Sequence, residues 1–220
     1  MSVKKVIEQA RLELGVTEEP AGSNRVKYWE EYGAGMQGQP WCVAFLWWVF
    51  HRAGESAAFF GGGRTASCRQ LLGWYASQGL TFPAEAAQPG DIALMSFDGS
   101  GEAQHCGLIL GSERGEDGRL LRVRTVEGNT SPGDAGSPDN GGCVAEKLRY
   151  PRHIVRLCRP QYQPEEGQTD DVTGHWAEES IRRVRAAGLM QGYPDGSFRP
   201  NRPVTRAELA VILNRWEESK

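Results

Sequence analysis

The chain has 220 residues, 39% of them hydrophobic, and a formal net charge of -3 at pH 7. This length fits one medium domain, alone or with a small second module, and the composition is that of an ordinary globular protein. The slightly acidic balance lacks the basic footprint of nucleic-acid-binding proteins, so no nucleic-acid partner is predicted.

The N-terminal segment, residues 1–14, is predicted to be an amphipathic helix. Val3, Ile7, Ala10 and Leu14 fall on one face at helical spacing. Its charged residues exclude the apolar core of a secretory signal, and no stretch of the chain has the length of a membrane span. We therefore expect a protein made in the cytoplasm without a signal peptide and released by another route.

The apolar run 43–50, headed by Cys42, predicts a buried helix that extends to Ala53 and stops at Gly54. A cysteine in the first turn of a helix lies where the helix dipole stabilises a thiolate. Because the thiolate is the reactive form, Cys42 is a candidate nucleophile. The alternative is that Cys42 is only a small buried hydrophobic residue.

After a third predicted helix, at 65–78, the hydrophobic pattern changes to that of strands. The glycine-rich segment 115–118 predicts a hairpin turn between two of them. Helices followed by sequential strands predict an α+β domain with an antiparallel sheet. The predicted strands are 91–97, 106–110, 120–127, 143–148 and 154–157.

His105 is the preferred candidate for a catalytic base because it opens an apolar strand after a glycine-rich loop. Its alternative role is that of a strand-end histidine with a backbone partner. His153, just before the last strand, stays open as a second candidate base. His51 follows Cys42 by nine residues on one helix, more than about 13 Å along the axis, which is too far for proton transfer. His175 lies in the tail.

Glu127 and Asn129 end a predicted strand at alternate positions, so both are expected on one face. Either could accept the imidazole N–H and hold the ring in the productive tautomer. The alternative is a polar turn after the strand. A cysteine, a histidine and a polar orienting group on separate elements, in this order, are typical of cysteine hydrolases of the papain type.

The five cysteines are spread along the chain with no CxxC pair, so neither a metal site nor a cofactor is predicted. Their odd number leaves at least one thiol unpaired. Pairing among Cys106, Cys143 and Cys158 stays open, although a reducing compartment disfavours it.

Residues 159–169 are polar, contain proline and lack periodicity, which predicts a linker between a domain at 1–158 and a module at 170–220. The module is predicted to hold a helix at 176–187 and a second helix whose capping box pairs Thr205 with Glu208. Such a small unit has a marginal core and needs help from a neighbour, from the first domain or from self-association. The second helix presents one apolar face, made of Leu209, Ile212, Leu213 and Trp216.

The motifs of residues 1–158, taken as an ordered set, resemble the CHAP family. These are cysteine, histidine-dependent amidohydrolases and peptidases of papain-like fold, found in phage lysins and bacterial cell-wall enzymes. The resemblance implies a papain-like α+β fold and activity on peptidoglycan. The motifs are Gly22-Ser23-Asn24, Pro40-Trp41-Cys42-Val43-Ala44-Phe45, Pro89-Gly90-Asp91, His105-Cys106-Gly107-Leu108-Ile109 and Glu127-Gly128-Asn129-Thr130.

Carried onto these positions, the resemblance implies that Cys42 is the nucleophile and His105 the general base. Glu127 would orient His105, and Asn129 would assist at the same end of the site. Some members bind calcium through an acidic loop near the nucleophile, but here segment 33–38 lacks carboxylates, so no calcium is expected. The oxyanion is expected to meet the backbone N–H of Cys42 and a glutamine side chain, Gln37 or Gln39.

The tail resembles an S-layer homology (SLH) module. The resemblance implies anchoring to a secondary cell-wall polysaccharide, with Asp171, Trp176 and Arg206 as its wall-binding residues. Arg206 would contact an acidic sugar substituent, or would only neutralise its helix and a nearby carboxylate. Such modules commonly occur three in a row; since one is present here, a homotrimer through the tails is expected. The matching segments are 171–172, 175–177, 188–190, 192–198 and 205–208, with Pro200.

Together these features predict a phage-lysin-like peptidoglycan hydrolase that acts at the cell wall. It would cut an amide of the wall peptide, as an N-acetylmuramoyl-L-alanine amidase or as an endopeptidase. Two alternatives stay open: a cysteine peptidase acting on soluble peptides, and a wall-binding protein whose catalytic-like domain is inactive.

Overall fold

The structure is a computed structural model that describes residues 2–33, 35–133, 140–162, 171–193 and 196–218. The chain divides into two compact units, Ser2–Gln163 and Pro164–Lys220, which are treated separately below. The helices are α1 (Ser2–Leu12), α2 (Lys27–Tyr32), α3 (Cys42–Arg52), α4 (Cys68–Ser77), α5 (Glu178–Ala186) and α6 (Arg206–Glu218). The strands are β1 (Thr81–Phe82), β2 (Ile92–Met95), β3 (His105–Arg114), β4 (Leu120–Thr130), β5 (Cys143–Arg149) and β6 (Ile154–Cys158).

The first unit is built on one six-stranded sheet in the order β1-β6-β2-β3-β4-β5, and every neighbouring pair is antiparallel. This confirms the predicted α+β class and antiparallel sheet. The hairpin at 115–118 is also confirmed, since it joins β3 to β4. Residue Met95 pairs with His105, which places the start of β3 beside the end of β2.

Helix α3 is the centre of the hydrophobic core. All nine residues from Cys42 to Phe50 are buried, which explains why the sequence is apolar around the whole helix rather than on one face. It packs against β3 and β4 of the sheet and against α1 and α2. A smaller cluster, including Met95 and Ile109, covers the opposite face of the sheet. The core thereby fixes the N-terminus of α3 against the strands that carry the candidate site.

The first unit extends past Cys158, where the sequence predicted a linker. Arg159 donates two hydrogen bonds of 2.9 Å to the buried carboxylate of Asp91. The Tyr162 hydroxyl donates to the carbonyl of Gly90, and its ring stacks on Phe50. Residues 159–162 are therefore part of the folded unit, and the predicted linker start is wrong. The polar composition of this segment gives no indication of its long-range contacts. The remainder of the predicted linker, 163–169, lies outside the described residues.

The second unit contains α5 and α6. The predicted capping box is confirmed: the N–H of Glu208 donates to Thr205 Oγ1, and the Glu208 carboxylate accepts from the N–H of Thr205. The predicted apolar face of α6 is largely uncovered, since Leu209, Leu213 and Trp216 are each about half exposed. Within the described ranges, no helix combines the length and apolar character needed to cross a membrane.

Candidate functional site

Cys42 is the first residue of α3, as predicted, and it is 4% exposed. The N-cap residue, Trp41, makes no side-chain capping hydrogen bond among the described residues, and the first N–H groups of a helix have no partner within the helix. Next to it, the indole of Trp41 donates a 2.9 Å hydrogen bond to the buried carboxylate of Glu18. The backbone entering the helix is thus held in place, while its N–H groups stay available to an oxyanion.

His105, at the start of β3, is fully buried and contacts Glu127 on β4. Its Nε2 lies 3.0 Å from a Glu127 carboxylate oxygen. The other ring nitrogen, Nδ1, is buried with no hydrogen-bond partner of ordinary length among the described residues. Because Nε2 is taken by Glu127, Nδ1 is the nitrogen left for the neighbouring Cys42 thiol, which interacts with the ring.

Two further side chains hold Glu127. Arg149, at the end of β5, donates to both carboxylate oxygens, through Nε at 2.8 Å and through Nη2. The Thr125 hydroxyl donates to Oε1 at 2.6 Å. Arg149 also lies over the ring of Phe97, 4.6 Å from its centroid. Neither Arg149 nor Thr125 was predicted as part of the site. Thr125 shares a face of β4 with Glu127, which strand alternation could have indicated, whereas the pairing of β5 with β4 that brings Arg149 to the acid leaves no local signal in the sequence.

Two glycines make the site possible by letting chain segments approach closely. A Cβ on Gly107 would lie 2.6 Å from Glu127 Cγ, so only glycine leaves room for that side chain. A Cβ on Gly128 would lie 2.6 Å from Phe45 Cβ and 2.8 Å from the Trp41 ring. The first glycine seats the carboxylate, and the second lets β4 lie directly against the start of α3.

The ionisation of the three groups is strongly perturbed. Hydrogen bonds from the Cys106 and Cys68 thiols, with a further one from His105, overcome burial and lower the pKa of Cys42 well below its usual value. Burial disfavours the imidazolium of His105, but contacts with Cys42 and Glu127 raise its pKa to about 9. Burial also disfavours the carboxylate of Glu127, but Arg149 and His105 lower its pKa to about 2. A thiolate, an imidazolium and a carboxylate are therefore the favoured forms at neutral pH.

The fold brings together three cysteines that are far apart in sequence. The Cys42 and Cys68 sulfurs are 3.9 Å apart, and with the Cys106 sulfur they all lie within 4.8 Å of one another. Burial is the leading cause that raises the pKa of Cys106, and hydrogen bonding to Cys42 raises it further. No disulfide joins the five cysteines, all of which are among the described residues. Cysteines that are scattered in the sequence thus form a cluster of three thiols in the fold.

Asn129 and Gln37 have other partners in the part of the chain that the structure describes. Asn129 has a left-handed backbone (φ 57°), and its amide donates to Asn140 Oδ1 at 3.3 Å. The pairing of β4 with β5 shifts just before it, so regular alternation does not extend to Asn129. The Gln37 amide pairs with both backbone groups of Val26 at 3.1 Å. Gln37 thus fixes the preceding loop, and the backbone N–H of Cys42 is the better candidate for the oxyanion.

The other histidines of the first unit lie elsewhere. His153 ends a short 3-10 helix, Pro151–His153, and lines a cavity of about 280 Å³ with the segment that follows β2. Its ring is 5.4 Å from that of Phe97, which is itself 6.1 Å from that of His105. The ring of His51 stacks on Trp47, toward the C-terminal end of α3. Among these candidates, His105 is the one that the structure places beside Cys42.

In the second unit, the predicted wall-binding residues have different surroundings. The Asp171 carboxylate accepts from the backbone N–H groups of Phe198 and Arg199 at 2.8 and 2.6 Å, so it holds a turn. Trp176 is 92% exposed. Arg206, the first residue of α6, is exposed as well. Two of the three predicted residues therefore face solvent, and the third shapes the turn-rich middle of the unit.

Comparison with known proteins identifies the tail. Cell surface glycoprotein 1 of Acetivibrio thermocellus is 44% identical over 46 residues, which are 21% of this chain and 2% of that protein. The cellulosome-anchoring protein of the same organism is 44% identical over 48 residues, 22% of this chain and 11% of that protein. Outer membrane protein SlpA of Deinococcus radiodurans is 47% identical over 47 residues, 21% of this chain and 4% of that protein.

These relatives share only a short stretch with the chain, and the family model that matches covers residues 168–210. Its description is the S-layer homology domain, which confirms the family predicted for the tail. Residues 168–210 are an S-layer homology domain, the type of module found in proteins of the cell wall or cell surface.

Proposed function

We propose that the first unit is a cysteine-dependent hydrolase of the CHAP type that cuts an amide bond in the peptide part of peptidoglycan. Cys42 is the nucleophile, His105 the general acid and base, and Glu127 the residue that orients His105. The proposal includes both the bond between muramic acid and L-alanine and bonds within the peptide. The reaction requires a substrate chain to reach the thiol of Cys42, a residue that is 4% exposed.

The observation that carries the proposal is the line of four side chains at the N-terminus of α3. Cys42 begins the helix, His105 lies beside it, Glu127 binds the far side of the imidazole, and Arg149 holds Glu127. A nucleophile, a base and a group that orients the base form the arrangement needed for nucleophilic catalysis. A merely structural cysteine would not need a histidine held by a fully buried carboxylate.

In the proposed reaction, the Cys42 thiolate attacks the amide carbonyl carbon and forms a C–S bond. The oxyanion meets the backbone N–H of Cys42 at the uncapped helix end, where the helix dipole also favours negative charge. The His105 imidazolium gives its proton to the amine, and the C–N bond breaks to leave a thioester. Water then loses a proton to His105 and attacks the thioester, which releases the carboxylic acid and the thiolate.

We further propose that the S-layer homology domain anchors the enzyme to a secondary cell-wall polysaccharide. The support is the similarity to a cell surface glycoprotein and to a cellulosome-anchoring protein. The exposed Trp176 and Arg206 offer a stacking surface and a cation to an anionic sugar. Anchoring raises the local concentration of enzyme on the wall without adding chemistry. Three tails are proposed to associate through the uncovered apolar face of α6.

Digestion of purified peptidoglycan tests the hydrolase proposal. The full chain should release fragments with new amino termini, and mass spectrometry of these fragments identifies the bond. Cys42→Ala should lower the rate by at least about a thousand-fold while wall binding persists. Cys143→Ser is the matched control, since Cys143 is equally buried but outside the site, and it should retain activity.

The same experiment distinguishes the two alternatives. If the parent chain and Cys143→Ser both bind the wall but neither digests it, the result would favour an inactive wall-binding protein. Cleavage of soluble peptides without digestion of the wall would favour a general cysteine peptidase. Full activity of Cys42→Ala would show that the nucleophile is wrong.

A further inference from the structure

The three sulfur atoms beside His105 form a second candidate site. They come from the start of α3, the start of α4 and the start of β3, and each residue is buried. The N-terminus of α4 is capped by Ser67, whose hydroxyl accepts from the N–H of Gln70. Two of the three sulfurs, those of Cys42 and Cys68, therefore lie at helix starts, where the helix dipole favours negative charge.

The spacing of the sulfurs matches that of thiolates around a metal ion. With a Zn–S bond of about 2.3 Å, two sulfurs on one ion are about 3.8 Å apart in a tetrahedral site and about 4.0 Å apart in a trigonal one. The Cys42 and Cys68 sulfurs are 3.9 Å apart, and the largest separation in the triangle does not exceed 4.8 Å. A disulfide would instead require this pair to close to about 2.0 Å.

A second, independent observation is Nδ1 of His105, which is buried and forms no hydrogen bond of ordinary geometry in the described part of the chain. The ring interacts with the Cys42 thiol, so this nitrogen lies beside the sulfurs. A buried polar atom without a partner is rare and calls for an explanation. A neutral imidazole whose other nitrogen is held by a carboxylate, as Nε2 is held by Glu127, is also the usual form of a metal-binding histidine.

We propose that Cys42, Cys68 and Cys106 bind a thiophilic cation of the d10 class, Zn²⁺ or Cu⁺, with His105 Nδ1 at the edge of the site. Thiolates select these ions over hard cations such as Mg²⁺ and Ca²⁺.

Because Cys42 is already a thiolate, binding releases one proton each from the Cys68 and Cys106 thiols, and a third leaves the His105 imidazolium when its nitrogen joins the site. The two positive charges of Zn²⁺ then partly offset the charge of three thiolates. Three sulfurs alone suit the trigonal geometry of Cu⁺. Tetrahedral Zn²⁺ needs a fourth ligand, and His105 supplies it by a small shift of its ring, since its nitrogen does not lie within 4.8 Å of all three sulfurs.

The consequence for activity rests on the proposed function. A bound ion occupies the sulfur that would attack the amide, so the loaded protein is inactive and removal of the ion releases the nucleophile. The binding site itself does not depend on that function, because its residues, spacing and burial are the same whether or not the domain is a hydrolase.

Titration of the reduced full chain with Cd²⁺ tests the site, in a buffer with a phosphine reductant and no chelator. Cd²⁺ stands in for Zn²⁺ because its thiolate complexes absorb in the ultraviolet by charge transfer. We expect one ion per chain, and Cys68→Ala and Cys106→Ala should each weaken binding by at least about 10- to 100-fold. Cys143→Ser and Cys158→Ala are the controls and should bind as the parent protein does.

Displacement of Cd²⁺ by Zn²⁺ and by Cu⁺, in separate titrations, identifies the preferred ion. The His105→Ala substitution should weaken the binding of Zn²⁺ much more than the binding of Cu⁺. X-ray absorption of the Zn²⁺-loaded parent protein should count three sulfur ligands, a measurement that needs no variant to fold. The site would be overturned by any one of three results: no charge-transfer band, unchanged binding in Cys68→Ala and Cys106→Ala, or fewer than three sulfur ligands.

The hydrolase and the metal site fail in different experiments. If the reduced, metal-free chain digests the wall but binds no ion, the metal site is wrong and the hydrolase stands. If the chain binds one ion through the three cysteines but Cys42→Ala retains full activity, the nucleophile is wrong and the metal site stands.

Discussion

Glu127 shows at the scale of one residue how a buried carboxylate can be kept ionised. Burial alone would raise its pKa, yet Arg149, His105 and Thr125 saturate its two oxygens. Removing one partner of such a buried pair leaves an uncompensated charge and costs about 3–5 kcal/mol. Arg149 therefore matters for the site through its hold on Glu127.

Alkylation should distinguish Cys42 from a thiol of equal exposure. Cys42 is 4% and Cys143 6% exposed, but the pKa of Cys42 is lowered while burial raises that of Cys143. Because the thiolate is the reactive form, limiting iodoacetamide at pH 7 should label Cys42 first in the reduced, chelator-treated protein. Peptide mapping by mass spectrometry measures the order. Equal labelling of the two cysteines would contradict the lowered pKa.

The pH dependence of hydrolysis should report His105. Its pKa is raised to about 9, so the imidazolium that protonates the leaving amine is present below that pH and is lost as the pH rises through it. We expect kcat/KM of the metal-free enzyme to fall on the alkaline side near pH 9. In Glu127→Gln a contact that stabilises the imidazolium is gone, and the fall should move to lower pH.

Glu113→Gln is the control for this profile, because Glu113 pairs with Arg122 at the far end of β3. Its alkaline limb should coincide with that of the parent enzyme. An unchanged limb in folded Glu127→Gln would mean that another group ionises there. Folding is checked by thermal unfolding of both variants, since unpairing Arg149 also lowers the stability of Glu127→Gln.

At the scale of elements, strand β3 carries both His105 and Gly107, the glycine that leaves room for the carboxylate partner of the histidine. Gly107 follows His105 by two residues on the same strand, and its missing side chain leaves the volume that Glu127 fills. Gly107→Ala should displace the carboxylate and lower kcat by about 100-fold, the cost of an ångström-scale misplacement. Steady-state digestion of soluble wall fragments measures this change.

Gly111→Ala is a matched control on the same strand, because an added Cβ there meets no atom of the described residues within 4 Å. It should keep the parent kcat. If Gly107→Ala were fully active, the position of Glu127 would not limit the reaction.

The elements that local sequence determines were predicted well. The apolar run after Cys42 and the alternating strands carry their own periodicity, and Thr205 and Glu208 form their capping box within one turn. The sulfur cluster could not be predicted in this way. Cys68 and Cys106 look like ordinary core positions within their own segments, and only the convergence of α3, α4 and β3 brings them to Cys42.

The contacts of Arg149, Arg159 and Tyr162 share this difficulty. Each side chain is polar or sits in a polar segment, so sequence pattern alone favours exposure, yet each finds a distant partner that offsets its burial. The pairing of His105 with Glu127 was predicted from the order of cysteine, histidine and acid and from the family resemblance, and the structure shows this hydrogen bond. Alternation also placed Asn129 on the face of Glu127, but the register shifts after Glu127 and the backbone of Asn129 is left-handed, so alternation does not apply there.

At the scale of the whole molecule, the tail should affect wall binding and leave the chemistry unchanged. Arg206→Ala should reduce retention on purified walls by removing the exposed cation at the start of α6. Its rate on soluble wall fragments should equal that of the parent chain, because that assay does not require anchoring. Arg183→Ala, which removes an exposed arginine of α5, is the control for loss of charge alone.

Oligomeric state tests the proposed association of tails. Light scattering at micromolar concentration should give three times the 24.2 kDa mass of the chain. Leu213→Glu places a charge on the uncovered face of α6 and should return the protein to the mass of one chain. A parent protein with the mass of one chain would refute the trimer.

The four ionised groups at the head of α3 cancel one another: thiolate with imidazolium, carboxylate with guanidinium. A neutral, buried set of charges neither attracts counterions nor loses much to their screening. Binding of an acidic sugar by an exposed arginine relies on an attraction between solvent-exposed charges, so this binding weakens as salt is added. Ionic strength should therefore affect the two units differently. High salt should release the protein from purified cell walls, while its rate of hydrolysis of soluble wall fragments should stay nearly constant.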